Sequence, residues 1–276
     1  EIITTLENCI FGGVKLLYVS PERLFSDIFK TKFKHMEVSF VTVDEAHCIS
    51  QWGYDFRPAY LQIANIRKLV PQVPILALTA TATPMVIDDI QNQLHFRAKN
   101  VFKMSFERKN VAYVVRKTDN KISELLHILQ SVPGTAIVYC RSRDRTKQIA
   151  QNIEKFGISV TWFHAGLERA EKEQRQNDWQ GNKIRVIVAT NAFGMGIDKP
   201  DVRLVVHADF PSSLEAYFQE AGRVGRDGKK GYAVLLYSPG ADERQLKKRG
   251  TDTFPPKDYI RTVYNHLAYF YQIGVG

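Results

Sequence analysis

Cysteine is scarce in this chain of 276 residues: three thiols, Cys9, Cys48 and Cys140, stand far apart and form no CxxC pair. That spacing speaks against a disulfide framework or a clustered zinc module and leaves reduced structural thiols as the expectation. No run of 18 apolar residues occurs and no basic-then-apolar leader opens the chain, so it reads as a soluble intracellular protein without a membrane partner. Internal repeats and low-complexity tracts are also lacking, although two α/β units can share a fold without sequence similarity. Acidic residues are in deficit, 29 Asp and Glu against 38 Lys and Arg, for a formal net charge of +9. A surplus of that size favours a polyanionic partner through counterion release, although solubility alone accounts for it equally well. The chain opens at Glu1 rather than at methionine, which hints at a fragment.

What is present is ordinary globular composition, 44% hydrophobic and 24% charged, enough for more than one core. Short apolar runs at 15–19, 40–43, 75–78, 136–139, 160–163, 185–189, 204–207 and 233–236 suit buried parallel strands. Helix-length amphipathic stretches lie between them, at 59–69, 84–94, 121–130, 145–156, 168–180 and 213–220. Thr83 before Pro84, and the Ser212, Ser213 pair, are good helix starts. Alternation of strand and helix predicts an α/β fold with parallel sheets flanked by helices. The polar stretch 105–118 shows no clear helix and marks a boundary, giving domains at 1–108 and 109–240. Beyond it, 241–276 is a third, helical element whose aromatic-rich stretch runs over 257–273.

Several segments carry chemistry. An apolar strand runs into Asp44, Glu45, Ala46 and His47, at the strand end where open α/β sheets bind ligands. Asp44 is placed to hold Mg²⁺ through water and Glu45 to orient and deprotonate an attacking water; a solvated acidic turn has the same look. The loop that follows, 48–60, interleaves Ser50, Trp52, Phe56 and Arg57, and rings beside a guanidinium suit single-stranded nucleic acid, whereas packed filler under the sheet is the bland reading. Thr79 and Thr81 alternate, so both hydroxyls can face neighbouring motif residues.

In the second half, Ser142 lies among arginines between a strand and a helix, a geometry suited to phosphate. A buried strand then leads to Thr190, Asn191, Gly194, Gly196 and Asp198. The glycines allow close backbone approach to a phosphodiester, Thr190 and Asn191 can contact its oxygens, and Asp198 can accept from a ribose or from a neighbouring motif. Gln219, Arg223 and Arg226 close a predicted helix, with the two arginines on one side and in reach of a γ-phosphate; an exposed Gly/Arg turn fits equally.

In order and spacing these segments resemble superfamily 2 helicases, and the run from Asp44 to Tyr60 resembles the RecQ family of ATP-dependent DNA helicases. The resemblance spans about residues 16–237 and includes Ser20, Pro21, Glu22 and Arg23. It implies two RecA-like domains with ATP and Mg²⁺ between them. In that frame Asp44 and Glu45 hold magnesium and activate water, and His47 couples hydrolysis to DNA. Ser50, Trp52, Phe56 and Arg57 contact DNA, as do Ser142, Thr190 and Asn191. Asp198, Gln219, Arg223 and Arg226 complete the ATP site, with Arg226 as the finger. It further implies a monomer acting on single-stranded and partially duplex DNA with 3′ to 5′ movement, at the nucleoid of a bacterium or in a eukaryotic nucleus. Three departures stand out. The G-x-x-x-x-G-K-[ST] phosphate loop is absent, the opening strands of the first domain are missing, and no four-cysteine zinc module occurs in 242–276. A fragment of this kind is expected to hydrolyse ATP poorly by itself, and the alternatives are a nucleic-acid-binding fragment without catalysis or an RNA helicase of the same superfamily, against which the aromatic loop argues for DNA.

Overall fold

The computed structural model describes residues 2–53, 55–194, 197–253 and 255–270; Tyr54, Met195, Gly196 and the end of the expected terminal helix lie outside these. The chain groups into two compact units, Glu1–Glu107 with Ser213–Gln219, and Arg108–Ser212 with Glu220–Gly276.

The first unit contains helices α1 (Ile2–Ile10) and α2 (Asp27–Phe33), strand β1 (Val41–Val43), helices α3 (Pro58–Leu61) and α4 (Ile66–Leu69), strand β2 (Ile75–Ala77) and helix α5 (Pro84–Gln93). The two strands pair in parallel, Val43 opposite Ala77. Helix α5 starts as its sequence predicts, with Pro84 in the first turn and the Thr83 hydroxyl accepting from the Val86 amide at 3.4 Å. Val43, Ala46, Ile49, Ile63, Val86, Ile90 and Leu94 form one core cluster, and Leu6, Phe29, Phe33 and Ile66 a second.

Two expectations fail here. The run 15–19 forms no strand; Leu17 and Val19 instead pack on the second cluster, so their apolar pattern reports burial supplied by helices rather than a ladder. The stretch 59–69 is not one helix. A 3₁₀ segment, Gln62–Asn65, separates α3 from α4, and this tighter turn sends Ile63 into the first cluster and Ile66 into the second.

The second unit is built on β3 (Val111–Lys117), α6 (Lys121–Ser131), β4 (Thr135–Tyr139), α7 (Arg143–Glu154), β5 (Val160–Phe163), α8 (Arg169–Gln180), β6 (Val186–Ala189) and β7 (Val202–His207). Next in the chain come helix α9 (Leu214–Ala221), most of which groups with the first unit, and then strand β8 (Gly231–Tyr237) and helices α10 (Ala241–Thr253) and α11 (Lys257–Phe270) of the second. Six parallel strands stand in the order β3-β8-β7-β4-β6-β5. Strands β4 and β6 are buried throughout, which is why they read as continuous apolar runs. Strand β3 occupies the polar boundary stretch, a correction to the sequence reading: it is an edge strand paired from Val111–Gly231 to Lys117–Tyr237, with most side chains in solvent.

Beneath the sheet Leu125, Leu129, Ile149 and Ile153 pack on Val138, Val188 and Leu204. Trp179 is fully buried, its indole N–H donating to the Ala136 carbonyl at 3.2 Å and its ring edge-on to Phe193. Helices α10 and α11 group with this unit. Among the described residues no helix is long and apolar enough to cross a membrane.

Candidate functional site

The carboxylates of the first unit follow β1 directly. Asp44 is exposed and its Oδ1 accepts from the Glu45 amide at 2.9 Å. Glu45 takes the left-handed conformation, φ 49° and ψ 42°, and so turns the chain out of the strand into the 3₁₀ helix Ala46–Ile49. The Ala46 amide donates to the Leu78 carbonyl and the Leu78 amide to the Val43 carbonyl, each at 2.9 Å, which fixes that turn against the end of β2.

His47 is buried, with Nδ1 3.1 Å from Thr79 Oγ1 and 3.4 Å from Glu45 Oε2. Burial lowers its pKa against the opposing pull of Asp55. Thr79 therefore meets its expected neighbour, whereas the Thr81 hydroxyl is buried without a partner among the described residues.

The aromatic loop is tied back to this histidine. The Arg57 amide donates to the Cys48 carbonyl at 2.9 Å, and the Arg57 guanidinium reaches Asp55 Oδ2 through Nε at 3.2 Å and Nη2 at 2.7 Å, a bond that raises the arginine's pKa. Cys48 Sγ lies 3.7 Å from both His47 Nε2 and Asp55 Oδ2; burial, with Asp55 adding to it, pushes the thiol up to about 12. Gly53 approaches so closely that a Cβ there would sit 2.6 Å from the His47 carbonyl oxygen. Trp52 projects outward, 68% exposed, and Phe56 and Arg57 are half-buried. Ser50 is fully buried, its hydroxyl accepting from the Trp52 amide at 3.2 Å, so it shapes the loop from within.

In the second unit the candidates cluster at the carboxyl ends of the strands. Ser142 caps α7, accepting from the Arg145 amide at 3.3 Å. Thr190 is buried and Asn191 exposed, both just past β6. A cavity of about 460 Å³ opens beside them, lined by Arg141, Asn191, Asp209, Glu220 and Arg249 among others. It lies where the order of strands reverses, between β4 and β7, the usual ligand position in open α/β sheets. Arg249 of α10 frames it by donating to the Phe210 and Pro211 carbonyls at 2.8 and 2.9 Å.

Helix α9 ends at Ala221, so Arg223 and Arg226 lie in turns beyond it rather than along one helical side; Gly225, at φ 56°, bends the chain between them. Arg226 Nη1 pairs with Asp198 at 3.0 Å and with the Ile197 carbonyl at 3.0 Å. Arg223 lies flat on Gly194, where a Cβ would come within 2.3 Å of its Nη2. Gln219 is half-buried on α9 within the stretch that groups with the first unit.

Residues 3–90 match the DEAD/DEAH box helicase family and residues 119–228 the helicase conserved C-terminal domain. The RecQ ATP-dependent DNA helicase of Pasteurella multocida is 44% identical over 238 residues, covering 86% of this chain and 38% of that protein. The chain belongs to the RecQ helicase family. The Haemophilus influenzae RecQ is 42% identical, with 87% of this chain and 39% of the relative covered. This RecQ chain thus spans less than two fifths of the length of those relatives. A solved structure of the DUF1998 helicase MrfA bound to DNA superposes with a TM-score of 0.66 at 17% identity, over 86% of this chain and 35% of the other, which shows the RecA-like helicase fold.

Sequence reasoning passed over several residues that shape the RecQ sites. Arg108 donates to the Val224 and Gly225 carbonyls at 3.0 and 2.8 Å, and Asn110 to those of Gly225 and Lys229 at 2.8 and 2.9 Å. Together they mould the turn that carries both arginines. Their only sequence signal is a polar cluster ahead of an edge strand. Asp55 was visible inside the aromatic loop, but nothing in the spacing tied it to Cys48 and Arg57.

Proposed function

We propose that the protein containing this chain couples ATP hydrolysis to 3′ to 5′ translocation on single-stranded DNA and thereby unwinds duplexes. The observation that carries the reading is the continuous set of contacts from Glu45 through His47, Cys48 and Asp55 to Arg57, joining hydrolytic carboxylates to an outward-facing aromatic loop. Two adjacent carboxylates at a strand end are hard oxygen donors that fit Mg²⁺, which when bound would neutralise charge developing on the transferred phosphoryl group. Glu45 would position and take the proton of the attacking water. Asp44, holding the Glu45 amide, keeps that carboxylate at the mouth of the turn.

Trp52 and Phe56 would stack on bases and Arg57 would pair with a phosphate, drawing Asp55 and with it the Cys48 and His47 contacts. Ser142, Thr190 and Asn191, at the strand ends of the second unit, would contact the DNA backbone. Arg226, steadied by Asp198, would meet the γ-phosphate, with Arg223 and Gln219 supporting it.

The test is ATPase activity of the full-length protein with and without single-stranded DNA, in the native form and as Trp52→Ala and Phe56→Ala. Stimulation by DNA that both substitutions abolish, with basal turnover intact, supports the coupling. Stimulation by RNA alone, or DNA-independent turnover, sinks it. Unwinding of duplexes bearing a 3′ but not a 5′ single-stranded tail tests the direction.

A further inference from the structure

One cluster of the first unit gathers metal-type donors of a kind different from the carboxylate pair. His47, Cys48 and Asp55 each offer a ligand atom, all within 4.8 Å of one another. Cys48 Sγ stands 3.7 Å from His47 Nε2 and 3.7 Å from Asp55 Oδ2. A tetrahedral ion bonded to sulfur at about 2.3 Å and to nitrogen or oxygen at about 2.0–2.2 Å separates sulfur from such donors by about 3.5–3.6 Å, so the two sulfur edges need contract by only about 0.1–0.2 Å, and the imidazole and carboxylate donors close the third edge from within 4.8 Å.

The outer face of the imidazole is engaged in the manner of a metal-bound histidine. Nδ1 lies 3.1 Å from the Thr79 hydroxyl and 3.4 Å from the Glu45 carboxylate, partners that fix the ring and leave Nε2 directed at the thiol. His47 and Cys48 are each 1% exposed, whereas the Asp55 side chain is 42% exposed. Two donors therefore come from a closed wall, and the third faces solvent, where an ion can arrive and keep a water.

We propose that His47 Nε2, Cys48 Sγ and Asp55 Oδ2 form a binding site for a thiophilic divalent cation of the zinc class, with water as the fourth ligand. Sulfur and imidazole nitrogen select such a cation over Mg²⁺, which prefers oxygen. As the sulfur–metal bond forms, the thiol proton leaves to solvent. The bound ion bridges the acidic motif to the aromatic loop, and because Arg57 rests on the same Asp55 oxygen, occupancy loosens the Arg57–Asp55 pair. This site is independent of the helicase reading and stands or falls without it.

The experiment is a Co²⁺ titration of the 276-residue chain, followed by absorption, then displacement by Zn²⁺ in competition with a chromophoric chelator. One equivalent of Co²⁺ with a thiolate-to-metal band and tetrahedral d–d absorption is expected, displaced by Zn²⁺ and unaffected by excess Mg²⁺. Cys48→Ser should abolish the band and Cys9→Ser should keep it. Asp55→Asn, on a half-exposed carboxylate and so compatible with folding, should weaken Zn²⁺ binding tenfold or more with an unchanged far-UV spectrum. Absence of a thiolate band, a band that survives Cys48→Ser, or equal affinity in a folded Asp55→Asn would overturn the site.

Discussion

Gly53→Ala isolates the docking of the aromatic loop without touching a charged or aromatic group. The added Cβ would lie 2.6 Å from the His47 carbonyl oxygen and 3.1 Å from that of Ser50, both backbone atoms with no rotamer to yield. The loop must therefore lift, and overpacking of this kind costs about 1–3 kcal/mol. Set against the docked state, that is a loss of about 5- to 150-fold in the docked-to-undocked ratio. Because the turn that carries Asp44 and Glu45 is pinned on either side by other backbone bonds, Ala46 to the Leu78 carbonyl and Leu78 to the Val43 carbonyl, basal hydrolysis should be spared. The assay is ATP turnover of the full-length protein across a single-stranded DNA titration. The expected result is a fall in DNA stimulation by a factor in that range with unchanged basal rate. Full stimulation at wild-type DNA concentrations would refute the idea that contact with the His47 backbone transmits the signal, and equal loss of both rates would place Gly53 in the hydrolytic turn itself.

Three other outcomes follow from the same contacts. Trp179→Ala should cost about 3–5 kcal/mol in urea unfolding by opening the fully buried core beside Phe193. Trp179→Phe should cost less, since it loses mainly the bond to the Ala136 carbonyl, and a penalty as large as that of alanine would contradict the packing account. Arg226→Ala in the full-length protein should lower kcat by about three to five orders of magnitude with little change in DNA affinity, and Asp198→Ala should do far less; a kcat within tenfold of wild type would remove Arg226 from the finger role. Stability should also fall with acid. At Asp201 burial works to raise the carboxyl and the Lys199 ammonium outweighs it, while Arg203 holds Asp227 down, so both lie below the usual carboxylate range in the folded state. The stability they contribute is thus complete above the unfolded value of about 4 and is lost as pH drops through the lower folded values. Urea midpoints measured down through that range should decline, and less steeply in Asp201→Asn.

The sheet of the second unit was legible because its centre is buried on both sides: the runs that became β4 and β6 have no polar face to obscure them. Strand β3 was not, since an edge strand with Tyr113, Val115 and Lys117 toward water has the composition of a linker. The acidic motif and the aromatic loop could be read as neighbours because they adjoin in sequence. What the residues could not convey was how they touch. The left-handed Glu45 swings His47 under Thr79, 32 positions away, and the clamp of Arg108 on the turn near Gly225 spans more than a hundred residues. The break between α3 and α4 was equally hidden, because one amphipathic pattern serves two adjoining clusters.

Glu45 carries a side chain in a backbone region that suits glycine, with a strain on the order of 1–2 kcal/mol. Heat resistance and turnover therefore draw this position in opposite directions. If Glu45 meets the attacking water as we propose, a library selected only for survival at high temperature should drift toward Glu45→Gly, whose relaxed turn carries no carboxylate, while a library selected for hydrolysis should hold glutamate and recover its firmness elsewhere in the unit.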